Sequence, residues 1–309
     1  MGNRHEPVLL DEVIVQLAPL PGQVFVDGTV GGGGHAEEIL KECAPDGLLL
    51  GLDVDAVAVE QSRFRLSRYG ARVKIVRETY AELAAVLASA GIPTVDGILL
   101  DLGLSSLQLD EPERGFSFQG DSPLDMRMDD RSGVTAEYVV NEVSRDQLRR
   151  VLYEYGEEPM AGVIADRIVA ARRRQRIRTT AELARIVEEA APGRGRRIHP
   201  ATRTFQAIRM EVNRELEHLR RFLAQFPAWL KPGGRVVVIS FHSLEDRLVK
   251  ERLRELAKGC VCPPDLPQCG CGQKPQVRLL TKKAVRPGES EVERNPRSRS
   301  ARLRAAQKL

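Results

Sequence analysis

Along the first hundred residues short apolar runs alternate with amphipathic stretches, the pattern of successive strand and helix units around a parallel sheet. Strands are predicted over residues 23–27, 48–53, 73–76 and 96–101, with helices over 36–42, 56–67 and 80–90 between them. A fifth strand, 235–241, is announced by the segment LKPGG at 230–234, where Pro and Gly break the preceding helix, and a helix follows over 244–257. From about residue 104 to about residue 213 the texture changes. After a loop rich in Gly, Ser and Asp at 115–133, helical spacing dominates over 145–155, 160–174, 180–191 and from 201 onward. Thr179 and Glu182 have the spacing of a capping box ahead of the third of these helices. The pattern predicts an α/β, Rossmann-like domain made of residues 1–104 and 214–309, interrupted by a mostly helical insertion at 105–213.

The first strand runs into the sequence DGTVGGGGHAEEI, a glycine-rich turn opening a helix. Gly31 to Gly34 allow close backbone approach to a ligand, and Gly31, Gly33 and Ala36 satisfy the G-x-G-x-x-A dinucleotide fingerprint. Without a ligand the same residues make an ordinary flexible turn. Asp53, at the end of the second strand, lies 21 residues after Gly32, near the offset at which a carboxylate accepts ribose hydroxyls. An adenosine-containing ligand follows, and both NAD and S-adenosylmethionine share this geometry. Asp27 tips the choice: a carboxylate ahead of the glycines repels a pyrophosphate and favours a cationic ligand by about 1–4 kcal/mol at close range. The alternative for Asp27 is a turn-starting residue bonded to its own loop. Asp101 ends the fourth strand, and the turn from Gly103 to Ser106 follows it, where ligands of open α/β sheets bind; a helix-capping role is the alternative for Asp101.

A length of 309 residues suits two domains or one enlarged by an insertion. The net charge of +4 is too small to identify a nucleic-acid binder, but its distribution is uneven: 12 basic residues against four acidic ones lie between Met160 and Met210. No apolar run approaches the roughly 18–20 residues of a membrane span, and the first residues lack the apolar stretch of a signal peptide, so a cytoplasmic location is expected. Cys260, Cys262, Cys269 and Cys271 fall within 12 residues. Four thiolates suit a closed zinc site, although C-x-C pairs differ from the usual knuckle; free or redox-labile thiols are the other reading, and no catalytic metal is expected.

The strings DGTVGGGGH (27–35), GILLDLGLSS with QLD (97–110), ERGFSF (113–118), PLDMRMD (123–129), HPATRTFQAIRMEVN (199–213), ISFHSLEDR (239–247) and NPRSRSARLR (295–304) resemble the RsmH, or MraW, family, in register from His5 to Arg304. Its members methylate N4 of a cytosine in the decoding centre of 16S ribosomal RNA. The resemblance implies a class I methyltransferase fold, S-adenosyl-L-methionine as cofactor, and 16S ribosomal RNA, within the small ribosomal subunit, as partner. It also implies a cofactor site built from Gly33, Gly34, His35, Asp53, Tyr80, Asp101 and Gln108; Tyr80 stands where relatives also use Phe, and either ring can lie against adenine.

Many amino-methylating enzymes carry an Asn/Asp/Ser-Pro-Pro-aromatic turn after the fourth strand, whereas this chain has DLGLSS at 101–106. The acceptor for the amine proton is therefore open among Asp101, Ser105, Ser106 and His242, with a structural role at the strand end as the alternative for His242. The insertion is the expected RNA-facing surface, through the basic runs 172–178 and 194–197. Arg294, Arg297, Arg299, Arg302 and Arg304 either join that surface or charge a last edge strand. Two competing readings are an NAD-dependent oxidoreductase, resting on the fingerprint, and a noncatalytic RNA-binding factor that retains a cofactor pocket.

Overall fold

The computed structural model describes residues 7–105, 108–109, 111–192, 199–259, 262–263, 268 and 270–309. They form two compact units, Met1–Gly103 with Glu217–Leu309, and Leu104–Leu216.

The first unit is a seven-stranded sheet. In chain order its strands are β1 (Val24–Asp27), β2 (Leu48–Asp53), β3 (Val73–Arg77), β4 (Val95–Asp101), β5 (Leu230–Ser240), β6 (Val277–Leu279) and β7 (Arg302–Lys308). They lie in the order β3-β2-β1-β4-β5-β7-β6, with β1 to β5 parallel and β7 antiparallel to both its neighbours. This is the expected Rossmann-like arrangement. β1 carries the first crossover on one side and β4 the second on the other, so the order reverses between them and opens a crevice at their carboxyl ends.

Both faces of the sheet are covered, which explains why its strands read as continuous apolar runs. One face packs Phe25, Leu49, Leu99, Val237 and Ile239 against helices α1 (Leu10–Leu17), α2 (Gly34–Glu42) and α3 (Ala56–Leu66). The other packs Val26, Leu50, Ile98 and Val238 against α4 (Leu83–Ser89), α10 (Glu215–Trp229) and α11 (Ser243–Lys258). Phe222 and Phe226, stacked at 5.8 Å, anchor this second layer.

Three elements depart from the sequence pattern. α1 has no predicted counterpart: it has eight residues and its N-cap, Leu9, is in the left-handed region with no capping side chain. β5 begins at Leu230 rather than 235, because Leu230 pairs with Val95 before the register shifts to Gly97 and Arg235. β7 is not an edge strand. It is enclosed by β5 and β6, and its Arg302 and Arg304 both reach Asp246 in the first turn of α11, Arg304 Nε at 2.6 Å. These two arginines are thus committed within the fold.

The second unit packs α5 (Ala136–Glu142), α6 (Arg145–Glu154), α7 (Ala161–Arg172), α8 (Thr180–Ala190) and α9 (Ala201–Val212) around Leu148, Ile164, Ile168, Leu183, Val187 and Ile208. The Thr179 and Glu182 capping box is formed at α8, and Ser144 with Gln147 makes another at α6. Asn141 exchanges two hydrogen bonds with the backbone of Ile177, and Asn213 holds the 115–133 loop through Met126 and Met128. Gly115, at φ +69°, is required: a Cβ there would sit 2.1 Å from the Pro123 carbonyl oxygen.

Thr179→Ala removes the acceptor for the Glu182 amide and half of the capping box. It is expected to lower the unfolding free energy by about 1 kcal/mol, measured as a reduced urea midpoint at unchanged slope.

Candidate active site

The site grows from strand register. Asp27 pairs with Gly51 on one side and Leu99 on the other, and Asp53 and Asp101 lie two residues further along β2 and β4. Side chains two apart share a face of a sheet, so three carboxylates from three adjacent strands converge on one face at the carboxyl end.

The turn after β1 is shaped by its own bonds. Gly31 and Gly33 adopt positive φ, and Gly33 caps α2, the helix that begins at Gly34. Gly34 closes on Pro7, which a Cβ would approach to 2.4 Å. Asp53 Oδ2 accepts the Gly31 amide at 2.9 Å and its Oδ1 accepts the Asp55 amide at 3.0 Å. Asp27 Oδ1 accepts the Thr29 amide at 3.2 Å, so the turn-bonding alternative is realised, while Thr29 Oγ1 accepts the Asp101 amide at 2.6 Å. Thr29 thereby ties β1 to β4 across the crevice. Arg65, on α3, is 2.7 Å from Glu37 in the first turn of α2 and also reaches the Gly32 carbonyl oxygen.

The carboxyl groups are held in the uncharged direction. Burial pushes Asp27 up to about 7; the Thr29 amide opposes the shift and the charge of Asp53 adds to it. Burial also carries Asp53 up to about 6 against its two backbone amides. Asp101 is raised well above the usual carboxylate range, first by burial and then by Asp27 and Glu245. Its Oδ1 is buried with no hydrogen-bond partner among the described residues. His35 is buried, with Nε2 2.9 Å from the Val8 carbonyl oxygen and Nδ1 3.8 Å from Asp101 Oδ2.

Tyr80 sits in the turn after β3 with its ring edge-on to Phe222 at 5.9 Å and to His218 at 6.5 Å. The same ring therefore serves the core as well as the crevice side of β4, where a Cβ on Gly28 would meet Tyr80 and Leu100. His242 caps α11: its Nδ1 accepts the Glu245 amide, and its Nε2 lies 3.1 Å from Glu245 Oε1 without hydrogen-bond alignment. A ring whose Nδ1 is committed to a helix end has the structural role that the sequence left open.

Gln108 and Ser105 belong to the second unit and satisfy each other: Gln108 Oε1 accepts the Ser105 amide at 3.0 Å and Ser105 Oγ accepts the Gln108 amide at 3.3 Å. Ser106 lies outside the described residues, as do Cys260 and Cys269; Cys262 and Cys271 are half-buried. Sequence reasoning missed Val8, Thr29, Arg65 and Glu245. Only Thr29 and Glu245 stood inside quoted motifs; Val8 and Arg65 act across the fold and leave no local signal.

The donor set fits a cationic adenosine ligand. Carboxylates that burial keeps from ionising are stabilised by a positive charge, whereas a pyrophosphate would add two negative charges to three acids. The chain matches the MraW methylase family over residues 2–309. It is a member of that family. A relative from Syntrophotalea carbinolica named "Ribosomal RNA small subunit methyltransferase H" is 54% identical over 99% of this chain and 98% of the relative. Relatives of the same name from Syntrophus aciditrophicus and Thermomicrobium roseum are 53% and 52% identical, covering 99% and 100% of this chain and 98% and 95% of theirs. In this MraW-family chain the glycine turn and the three acids thus stand in a methylase fold. Among the described residues no helix is long and apolar enough to cross a membrane.

Asp27 binds its proton more tightly folded than unfolded, so the folded state holds the extra proton between about pH 4 and about pH 7. Stability of the ligand-free protein is therefore expected to fall as pH rises through that window. Asp27→Asn should flatten the fall, read as the pH dependence of the urea midpoint; an unchanged profile in the variant would exclude Asp27 as its source.

Proposed function

We propose that the protein transfers a methyl group from S-adenosyl-L-methionine to the exocyclic N4 of a cytosine in the decoding centre of 16S ribosomal RNA, acting in the cytoplasm on the small ribosomal subunit. The observation that carries this reading is the convergence of Asp27, Asp53 and Asp101 around the glycine turn at the sheet's switch point. Membership of the MraW family, whose relatives bear a small-subunit ribosomal RNA methyltransferase name, supplies the substrate class.

Bound S-adenosylmethionine supplies an electrophilic methyl on a positively charged sulfur. Gly33, Gly34 and the α2 N-terminus are assigned to its amino-acid end, Asp53 to the ribose hydroxyls, and Tyr80 to the adenine. Gln108 remains part of the proposed cofactor site through the family resemblance. The N4 lone pair of cytosine is delocalised into the ring, so an acceptor on its hydrogens is needed to localise it and then take a proton. Asp101 is that acceptor: its Oδ1 has no internal partner, and His242 is occupied as a cap. The target base must be unpaired or extruded for its amine to reach a buried carboxylate.

The helical unit supplies the RNA-facing charge, with a revision to which arginines carry it. Arg172 donates to the Val140 and Val143 carbonyl oxygens, and Arg176 pairs with Glu137 and Glu142. Arg173, Arg174 and Arg178 remain exposed. The run 194–197 lies outside the described residues.

Labelled methyl incorporation into 16S RNA lacking the modification, as naked RNA and as assembled small subunits, tests the function. Wild-type protein should label one cytosine at N4, Asp101→Ala should lose about 100-fold or more in kcat, and Asp53→Ala should weaken donor binding. Tight binding of NAD with none of S-adenosylmethionine, or donor binding without any transfer, would favour one of the competing readings. Arg173→Ala with Arg174→Ala should weaken RNA binding and reduce the salt slope by about one for each phosphate no longer neutralised, whereas Arg172→Ala should lower stability instead.

A further inference from the structure

The ring of His35 is held in one tautomer. A carbonyl oxygen can only accept, so the 2.9 Å contact with Val8 requires the hydrogen on Nε2 and, in the neutral ring, leaves the lone pair on Nδ1. That lone pair faces Asp101 Oδ2 at 3.8 Å. His35 also sits in the first turn of α2, where the positive end of the helix dipole disfavours an imidazolium. The other charged groups bearing on Asp101 are Asp27 from β1 and Glu245 from α11, and both oppose its ionisation. Among the described residues that face Asp101, His35 alone can lend it a proton or accept one.

We propose that His35 is the positioning residue and proton reserve of Asp101: its Nδ1 holds Oδ2 through a shared proton, leaving Oδ1 directed at the target amine, and it takes up the proton that Asp101 receives. This rests on the functional reading above. In the ligand-free protein the shared proton resides on Asp101. Positive charge brought beside the acids favours the ionised carboxylate, which then faces the amine through Oδ1. The transfer forms the bond between N4 and the methyl carbon and breaks the bond between that carbon and sulfur, whose electron pair stays on sulfur. One N4 proton passes to Asp101, and the pair of Asp101 and His35 ends with one proton more than it held at the start of the step. Its return to solvent resets the site.

The test begins without the cofactor. In nitrogen NMR of the protein labelled at its histidine rings, with the His35 signals assigned by their loss in His35→Gln, His35 is expected as the neutral Nε2–H tautomer, and its Nδ1 signal should move in Asp101→Asn. An Nδ1–H tautomer, or an Nδ1 signal indifferent to Asp101→Asn, overturns the proposal. The second measurement is kinetic. His35→Gln keeps a donor for Val8 but cannot titrate, so it should lower kcat on 16S RNA by about 10–100-fold and alter the pH dependence of kcat, with donor affinity within about 3-fold of wild type. A defect confined to donor affinity, with the wild-type pH profile of kcat, assigns His35 a purely structural role and overturns it as well. Absence of any transfer by wild-type protein would instead overturn the functional reading, and the ligand-free tautomer separates that outcome from failure at His35.

Discussion

The fold is organised around an unfavourable placement: three carboxylates at the ends of adjacent strands, where burial raises all three and neighbouring acids add to the rise. Nothing in this cluster neutralises them as an arginine would. Arg65 and Arg68 pair with Glu37, and Arg302 and Arg304 with Asp246, so the nearby cations are spent on other acids. Such a site costs stability, and it persists because the two packed faces of the sheet and the Thr29 bridge between β1 and β4 leave the strand ends no freedom to separate. A ligand with positive charge relieves the strain that the fold maintains. The same geometry argues against a pyrophosphate at the glycine turn, although the fingerprint by itself fits either ligand.

Much of this was legible in the sequence because it is local. The parallel strands are apolar on both faces and bounded by turn residues, so their pattern is unambiguous, and Asp53 is found by its distance from the glycines. The capping box at Thr179 is likewise a short-range code. What escaped was either weakly encoded or non-local. α1 and α5 are short, eight and seven residues, and α1 has no capping side chain. The contact of His35 with Val8 spans 27 residues, and that of Arg65 with Glu37 spans 28. Neither spacing follows from periodicity.

Charge counting was the least reliable reading, for a physical reason. An arginine in a helical unit can end its side chain on a carbonyl oxygen, on a carboxylate or in water, and the sequence does not distinguish these. Arg172 takes the first course and Arg176 the second, fastening α7 and the segment after it to α5. Buried or paired guanidinium groups have already exchanged their water for protein partners, and they offer little to a phosphate. The C-terminal run divides in the same way, since Arg302 and Arg304 hold β7 to α11. Basic composition therefore bounds the RNA-facing surface from above, and the exposed, unpaired members define it.

The reaction also removes charge from the place where the fold has concentrated acids. Before transfer a cation stands among the carboxylates; afterward the sulfur is neutral and a proton has left the amine. A site that had matched the cation with fixed arginines would have no reason to accept that proton. One that matches it with carboxylates of raised pKa does, because losing the ligand charge and gaining the proton are the same electrostatic change seen from Asp101. The raised carboxylates at Asp27 and Asp101 are thus more than a tolerance for a positive ligand. They let the proton released by the amine replace the charge lost at sulfur, so that the site remains close to neutral on both sides of the step.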